Sequence, residues 1–362
     1  MNLNGLLDLL GRQESYRALL ADLKPGASLG LIRPARPFVV AGLARDTVRP
    51  VVVITSRIDL AHNLSEQLRA WSPNLSVLTY TEPNPIFYER APWGPRSTQA
   101  RLQVLAALSD HSQLEYQADG LVVVTSARAL MQRTLPLEEF NARCITLQSG
   151  ALAPGGNPEA LLHLWLGMGY EPASLVTEPG AYSRRGGILD IFPVAADYPV
   201  RVEFWGDEIE SLRSFDPATQ RSESALTHVL ITPAREAFPV HAPQVAAPLE
   251  PWFTQFADDE DAASPRADWH PLSQGIPFQT LEFYLPWMYE HAASLLEYLP
   301  GNALVLVDDL LELSDTVADL EQQALSLHQS HLASGDIPPD MPLPNITWAQ
   351  ISEELSQGAA LQ

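Results

Sequence analysis

The sequence has a single cysteine and a single lysine among its 362 residues. One cysteine, Cys144, excludes an internal disulfide framework and a zinc site built from several cysteines. No stretch approaches the roughly 18 consecutive apolar residues of a membrane-spanning helix. The first residues also lack the basic start and small-residue cleavage site of a secretory signal. We therefore expect a cytoplasmic protein with no membrane partner.

Positive charge is also scarce, and it becomes scarcer along the chain. Residues 1–141 hold 14 Lys/Arg and 13 Asp/Glu, residues 142–235 hold 7 and 11, and residues 236–362 hold 1 and 20. Nucleic-acid affinity depends largely on cations that displace the counterions of phosphates. The last third cannot supply such cations, so the charge pattern favours a protein partner over a polynucleotide.

The first third of the chain carries the pattern of an α/β domain. The apolar runs Val51–Ile54 and Leu121–Val124 are short, rich in β-branched residues and unalternating, which is typical of strands buried on both faces. Helical patterns over Asp59–Trp71 and Thr98–Leu108 lie between them. This alternation predicts a parallel sheet with crossover helices.

The middle of the chain predicts a small α+β unit. A helix is expected over Glu159–Met168, followed by short strands. Turns are predicted at Gly206-Asp207 and at Asp216–Gln220, where glycine, aspartate and proline cluster.

The last third divides into two parts. Residues 236–275 are rich in proline and acids, which predicts a loosely ordered connector. Leu281–Tyr298 and Ala303–Val307 are expected to supply strand and helix pieces that complete the first α/β unit.

One predicted strand in the middle unit has an unusual outer face. Apolar residues alternate along it with other types, namely Val200, Val202 and Phe204 against Arg201, Glu203 and Trp205. Because side chains alternate in a strand, Arg201 and Trp205 lie together if the first trio faces the core. An arginine beside a large aromatic residue is the composition of a protein-binding hot spot. The alternative is that another part of the domain covers Trp205, since tryptophans are mostly buried.

Long stretches of the chain resemble a known family. GAYSRRGGILDIFP (Gly180–Pro193) and VRVEFWGDEIESLRSF (Val200–Phe215) resemble the second domain that the excision-repair protein UvrB shares with the bacterial transcription-repair coupling factors (Mfd). Further similarity to the coupling factors lies at Asn84–Leu108, Gly120–Pro136 and Leu281–Asp309. The whole chain is thus similar to the N-terminal UvrB-homology region of a coupling factor.

The resemblance implies a fold and a division into domains. Residues 1–141 and 236–362 would form a degenerate P-loop, helicase-like α/β domain with a parallel sheet, built from two separated segments. Residues 142–235 would form an inserted small α+β module like the second domain of UvrB. The long aromatic hairpin with which UvrB probes DNA has no room in Thr81–Pro95, and this favours the coupling-factor branch.

The resemblance also implies a partner and the residues that contact it. In this family the second domain binds the repair ATPase UvrA, and the contacting arginines fall on Arg185 and Arg201. The aromatic contact falls on Trp205, where relatives usually carry phenylalanine. Alternatively, Arg185 pairs inside its own domain with Glu178 or Asp190. Full-length relatives would bind RNA polymerase, DNA and ATP through regions absent here, and we expect a monomer.

The nucleotide-binding signature is degraded. Gly30 is present, but the glycine, lysine and serine or threonine of a P-loop are replaced by Ala35, Arg36 and Pro37. Proline offers neither an amide hydrogen nor a hydroxyl group for a magnesium nucleotide. We therefore expect no bound cofactor and no enzymatic activity.

Other candidate sites are weaker. Asp308 and Asp309 end a Walker B-like run but have no magnesium nucleotide to serve without a working P-loop. His328 and His331 lie three apart without further ligands, which favours a solvated helix over a metal site. No GxSxG nucleophile elbow occurs.

The sequence thus predicts a non-catalytic adaptor module of a transcription-repair coupling factor, which binds UvrA through its second domain. Two alternatives remain. One is a remnant of a UvrB-like DNA-dependent NTPase or helicase, and the other is a domain that only braces a larger motor. Binding to isolated UvrA would separate the adaptor from the bracing domain.

Overall fold

The structure is a computed structural model that describes residues 4–24, 26–109, 120–257, 261, 264–291, 293–357 and 360–361. The helices are α1 (Asn4–Leu10), α2 (Glu14–Ala21), α3 (Arg36–Thr47), α4 (Ile58–Trp71), α5 (Pro95–Leu108), α6 (Ala127–Met131), α7 (Leu137–Arg143), α8 (Pro158–Gly167), α9 (Ala242–Thr254), α10 (Arg266–Gln274), α11 (Leu285–Met288), α12 (Leu310–Ser334) and α13 (Trp348–Gln357). Short 3₁₀ helices lie at Arg33–Ala35, Pro239–His241, Leu281–Tyr284 and Leu295–Tyr298. The strands are β1 (Val51–Thr55), β2 (Ser76–Tyr80), β3 (Leu121–Ser126), β4 (Ile145–Gln148), β5 (Glu171–Pro172), β6 (Ala181–Arg185), β7 (Ile188–Ile191), β8 (Val200–Trp205), β9 (Glu208–Phe215), β10 (Ser222–Leu226), β11 (His228–Ile231), β12 (Leu304–Val307) and β13 (Ala360–Leu361).

A parallel five-stranded sheet organises the α/β unit, in the order β13-β12-β1-β3-β2. Val51 of β1 lies opposite Val122 of β3 on one side and Leu304 of β12 on the other. Every residue of β1 and β3 is buried, as expected for a sheet covered by helices on both faces. The predicted parallel sheet and its assembly from two separated segments are confirmed.

Helices cover the two faces of this sheet separately. On one face, the hydrophobic cluster joins α3 and α4 to Val51 and Val53. On the other, α5 and α6 pack on Val52 and Ile54. The predicted helices at residues 59–71 and 98–108 are confirmed as α4 and α5. Within the described ranges, no helix combines the length and apolar character needed to span a bilayer.

The middle unit is built on a six-stranded sheet in the order β10-β9-β8-β7-β6-β5. Neighbouring strands are antiparallel except β5 and β6. α8 starts at the side chain of Asn157, which accepts the amide hydrogen of Ala160 at 2.8 Å. Its Trp165 is completely buried and joins Leu189 and Val202 in one hydrophobic cluster. One face of the sheet thus packs against α8, whereas Phe192 and Phe215 form a small separate cluster with Val176.

The two predicted turns of this unit are confirmed. Gly206 and Asp207 connect β8 to β9, and Gly206 has a φ of 63°, a conformation that glycine adopts without strain. At the second turn, the carboxylate of Asp216 accepts the amide hydrogens of Ala218 and Thr219 at 2.7 and 2.8 Å. These two hydrogen bonds lower the pKa of Asp216.

The prediction of a loosely ordered connector over residues 236–275 is wrong. α9 and α10 lie there and bury a cluster that includes Leu249, Trp252, Phe253 and Leu272. Composition misled the prediction because prolines lie inside both helices, while apolar side chains still recur on one helical face. Most of the acidic segment ADDEDAASP at residues 257–265 lies outside the described residues. Downstream, the predicted strand and helix pieces are confirmed as β12 and the short helices before it.

Two adjacent buried ion pairs fix the chain where it leaves the middle unit. Arg235 binds Glu282 through Nε and Nη2, at 2.8 and 2.5 Å. Arg101 of α5 binds Glu236 in the same two-pronged way, at 2.5 and 2.9 Å, and neither side chain of this pair is exposed. Two consecutive residues at the junction of the units, Arg235 and Glu236, are thus each anchored by a buried ion pair.

Candidate partner-binding face

The outer face of the six-stranded sheet carries the predicted residues. Val200 and Val202 of β8 are completely buried toward α8, so the intervening Arg201 projects to the opposite face. Asp190 of β7 lies directly opposite Arg201, and Ser183 of β6 lies opposite Asp190. Directly opposed residues in an antiparallel sheet share a face. The predicted strand alternation therefore holds.

Asp190 organises two of the predicted arginines. Its side chain is completely buried, and it accepts hydrogen bonds from Arg185 Nη2 at 2.7 Å and from Arg201 Nε and Nη2 at 2.8 and 2.9 Å. Arg201 also lies 4.9 Å over the ring of Phe215, and only 17% of its side chain is exposed. Hydrogen bonding to Asp190 raises the pKa of Arg201. Arg201 lies on the predicted face but is largely covered, and it is bound to its neighbour.

Arg185 is more accessible than Arg201. Half of its side chain is exposed, although it also binds Asp190. The alternative partner Asp190 is therefore the one present, and the ion pair still leaves the outer part of the guanidinium open to solvent. The neighbouring Arg184 is turned away and pairs with Glu159 of α8. Of the two adjacent arginines, the structure places Arg185 beside Arg201.

Trp205 stands free at the end of β8. It is 78% exposed, which excludes the alternative of a tryptophan covered by its own domain. A register shift between Glu203 and Phe204 precedes it, so the last residues of β8 depart from the regular ladder. An indole that is this exposed at a strand end is available for contact with a partner surface, and tryptophan is enriched in such contacts.

Leu152 extends this apolar corner and was not foreseen from the sequence. Glu208 pairs with Trp205 on one side and forms an isolated bridge with Leu152 on the other. Leu152 is 69% exposed. Because it lies in an irregular segment, no periodic pattern signals its position. We call Arg185, Asp190, Arg201, Trp205 and Leu152 together the Asp190 face.

The residues predicted to form a degenerate P-loop are arranged differently. Arg36 and Pro37 open helix α3, and Arg36 Nη1 lies 2.7 Å from Asp308 Oδ1 at the end of β12. Asp309 caps α12 by accepting the amide hydrogen of Glu312 at 3.1 Å. Arg36 and Asp308, which would face a magnesium nucleotide, thus bind each other, and Asp309 binds the backbone of α12.

The two histidines do not form a joint site. His328 packs against Tyr88 with ring centroids 5.0 Å apart, whereas His331 lies 3.3 Å from Asp336. Among the residues that the structure describes, no three His, Cys, Asp or Glu side chains are grouped so that they could hold a metal ion.

The middle unit of the chain matches a known protein family. The family model described as the UvrB interaction domain matches residues 155–237, which include α8 and the six-stranded sheet. This part of the chain therefore resembles the UvrB interaction domain, and we refer to it by that name below.

Over most of its length the chain is similar to transcription-repair-coupling factors. The factor of Bacillus subtilis is 27% identical over 357 residues, which cover 94% of this chain and 29% of that protein. That of Mycobacterium tuberculosis is 32% identical over 332 residues, 87% of this chain and 26% of the relative. The factor of Escherichia coli is 26% identical over 325 residues, 88% and 26% of the two chains. The chain thus spans between a quarter and three tenths of the length of these relatives.

Proposed function

We propose that this chain is a non-catalytic adaptor in transcription-coupled repair and that it binds UvrA through the Asp190 face. The observation that carries the proposal is the 78% exposure of Trp205 on the same sheet as the half-exposed Arg185. A large aromatic anchor beside arginines is the usual composition of a binding hot spot. Asp190 adds rigidity, and fixed side chains lose less entropy on binding.

We propose different roles for the two units of the chain. Residues 142–235 supply the UvrA-binding module, while residues 1–141 and 236–362 form a helicase-like domain with a degenerate P-loop. RNA polymerase, DNA and ATP would be bound by full-length coupling factors through regions outside this chain. The family relationship and the UvrB interaction domain support this proposal.

Truncating Trp205 tests the proposed contact. We expect Trp205→Ala to weaken binding to purified UvrA by about 2 kcal/mol, because an exposed aromatic anchor is lost. Arg185→Ala should also weaken it without unfolding the module, since Arg201 still neutralises Asp190. Isothermal titration of each variant with UvrA measures both effects.

Tyr198→Ala is the matched control for this titration. Tyr198 is a 43% exposed aromatic residue of the same module, and it precedes β8 at the end opposite Trp205. Its loss should leave UvrA affinity unchanged. Wild-type affinity in both the Trp205 and Arg185 variants would refute the contact face. Failure of the unmodified chain to bind UvrA would favour the bracing domain instead.

The proposal also predicts that the chain neither binds nor hydrolyses ATP. The ion pair between Arg36 and Asp308 uses the charges that a nucleotide and its magnesium ion would need. A fluorescent ATP analogue should show no saturable binding, and phosphate release should stay at background. Turnover that persists through further purification and disappears in Asp308→Asn would contradict this and revive the NTPase alternative.

A further inference from the structure

The edge strand β2 has one side without a partner strand. Among the described residues, β2 pairs only with β3, in a register from Ser76 opposite Leu121 to Tyr80 opposite Thr125. Ser76 donates its amide hydrogen to Gly120 at 3.0 Å and so faces β3. Alternate residues of a parallel ladder turn to opposite sides, so the backbone groups of Val77 and Thr79 point outward.

This free edge lies in a groove between the two helical layers. α4 flanks β2 on one face of the sheet and α5 flanks it on the other, because their apolar residues belong to different clusters. The groove encloses a cavity of about 480 Å³ whose lining includes residues 77–79 of β2. An extended peptide strand is of the right shape for a groove that follows a sheet edge.

Two arginines contribute positive charge to the described lining of the groove. Arg69 of α4 and Arg96 of α5 both line it and are exposed. Arg69 donates to the outward carbonyl oxygen of Val77 at 2.9 Å, and within the described part of the chain neither arginine has a carboxylate partner. The one acid in the lining, Glu82, is paired with Arg128 at 3.1 Å.

This charge is unusual in its context. The chain has twice as many acids as bases, 44 against 22, so arginines usually find carboxylates nearby. Exposed edges are often protected by a single charged residue. Here two arginines from opposite helical layers, neither bound to a carboxylate among the described residues, line one strand edge, which is more positive charge than protection of the edge requires.

We propose that the β2 edge binds an extended acidic segment of a partner protein as an added strand. Its backbone would pair with Thr79 and would replace Arg69 at the carbonyl oxygen of Val77, and its acidic side chains would meet Arg69 and Arg96. A polynucleotide is disfavoured, because the chain carries a net charge of −22 and the outward groups of β2 match a peptide backbone. This surface belongs to the α/β unit, and it is separate from the UvrB interaction domain and independent of UvrA binding.

Binding of a defined peptide to the whole chain tests the proposal. The probe is an acetylated, fluorescently labelled octapeptide of alternating valine and glutamate, titrated by anisotropy. We expect saturable binding, and at least about a tenfold weaker affinity in the Arg69→Glu/Arg96→Glu variant. The matched control is Arg12→Glu/Arg17→Glu, which makes the same charge change on exposed residues of α2 and of the turn before it and should bind normally.

Two further measurements distinguish strand addition from diffuse charge attraction. Hydrogen exchange should slow in the segment of residues 76–80 when the peptide is bound. A peptide with a central valine replaced by proline should bind at least about tenfold more weakly, because proline cannot pair along the edge. Equal binding of this proline peptide, or no binding of the original, would overturn the proposal. Self-association abolished by the double reversal would also overturn it, since a second copy would then occupy the edge.

Discussion

Replacing Glu236 by alanine should lower the free energy of unfolding of this chain by about 3–5 kcal/mol, because it leaves the guanidinium of Arg101 buried without its counterion. Neither side chain of the pair is exposed to solvent. Glu236 also accepts a hydrogen bond from Thr134 at 2.7 Å, and Arg101 lies 4.2 Å over the ring of Tyr80. Burial alone lowers the pKa of Arg101, but Glu236 and Tyr80 reverse this effect and raise it, so the arginine stays charged.

Urea denaturation, followed by tryptophan fluorescence and circular dichroism in parallel, measures this loss. Two probes are needed because a chain with two units can unfold in more than one step. Glu66→Ala is the matched control, since Glu66 is an exposed acid of α4 and its loss should change stability by about 0.5 kcal/mol at most. A Glu236 variant as stable as this control would contradict the buried-pair interpretation.

A double substitution separates charge burial from packing. Arg101→Met/Glu236→Leu removes both charges and keeps most of the volume, so it should be more stable than Glu236→Ala alone. If the double variant is less stable than Glu236→Ala, the ion pair contributes more to the free energy of unfolding than the neutralisation of its two buried charges.

The ion pair of Arg101 and Glu236 also lies at the junction between the two units. Residues 235 and 236 lie at the end of the region that matches the UvrB interaction domain, and each binds a partner in the α/β unit. Glu236→Ala should therefore loosen the junction between the units as well as the core. Faster hydrogen exchange at residues 232–240 under native conditions would report this loosening.

Local sequence patterns predicted the elements whose burial follows from short-range periodicity. The strands β1 and β3 were predicted because unalternating β-branched runs suit a doubly covered sheet. The outward position of Arg201 followed from alternation with Val200 and Val202. In contrast, α9 was missed because its prolines and nearby acids outweighed the helical spacing of its apolar residues.

The organisation of the site could not be predicted in the same way. Asp190 binds Arg201 because β7 and β8 pair in one particular register, and nothing local to either strand fixes that register. Arg101 and Glu236 are 135 residues apart, so only the assembled fold brings them together. The exposure of Trp205 likewise depends on what the rest of the domain leaves uncovered, and its residue type alone favoured burial.

Asp190→Asn should have the largest effect on the proposed binding face. The substitution keeps the size of the side chain but removes the charge that holds Arg185 and Arg201. Hydrogen bonds to charged groups contribute about 1.5–3 kcal/mol each at buried sites. Because Arg185 is half exposed, its hydrogen bond to Asp190 contributes less to stability than those of Arg201. We therefore expect Asp190→Asn to lower the free energy of unfolding by about 2–3 kcal/mol.

The effect of Asp190→Asn on UvrA affinity should exceed that of Arg185→Ala, although Asp190 is completely buried and need not touch the partner. Both guanidinium groups would lose their fixed orientation, and ordering them again on binding costs free energy. Asp197→Asn, an exposed acid between β7 and β8, is the matched control and should bind UvrA normally. Titration with UvrA at a temperature where circular dichroism shows both variants folded provides the comparison. If Asp190→Asn binds as tightly as Asp197→Asn, the orientation that Asp190 gives to the two arginines does not contribute to the affinity for UvrA.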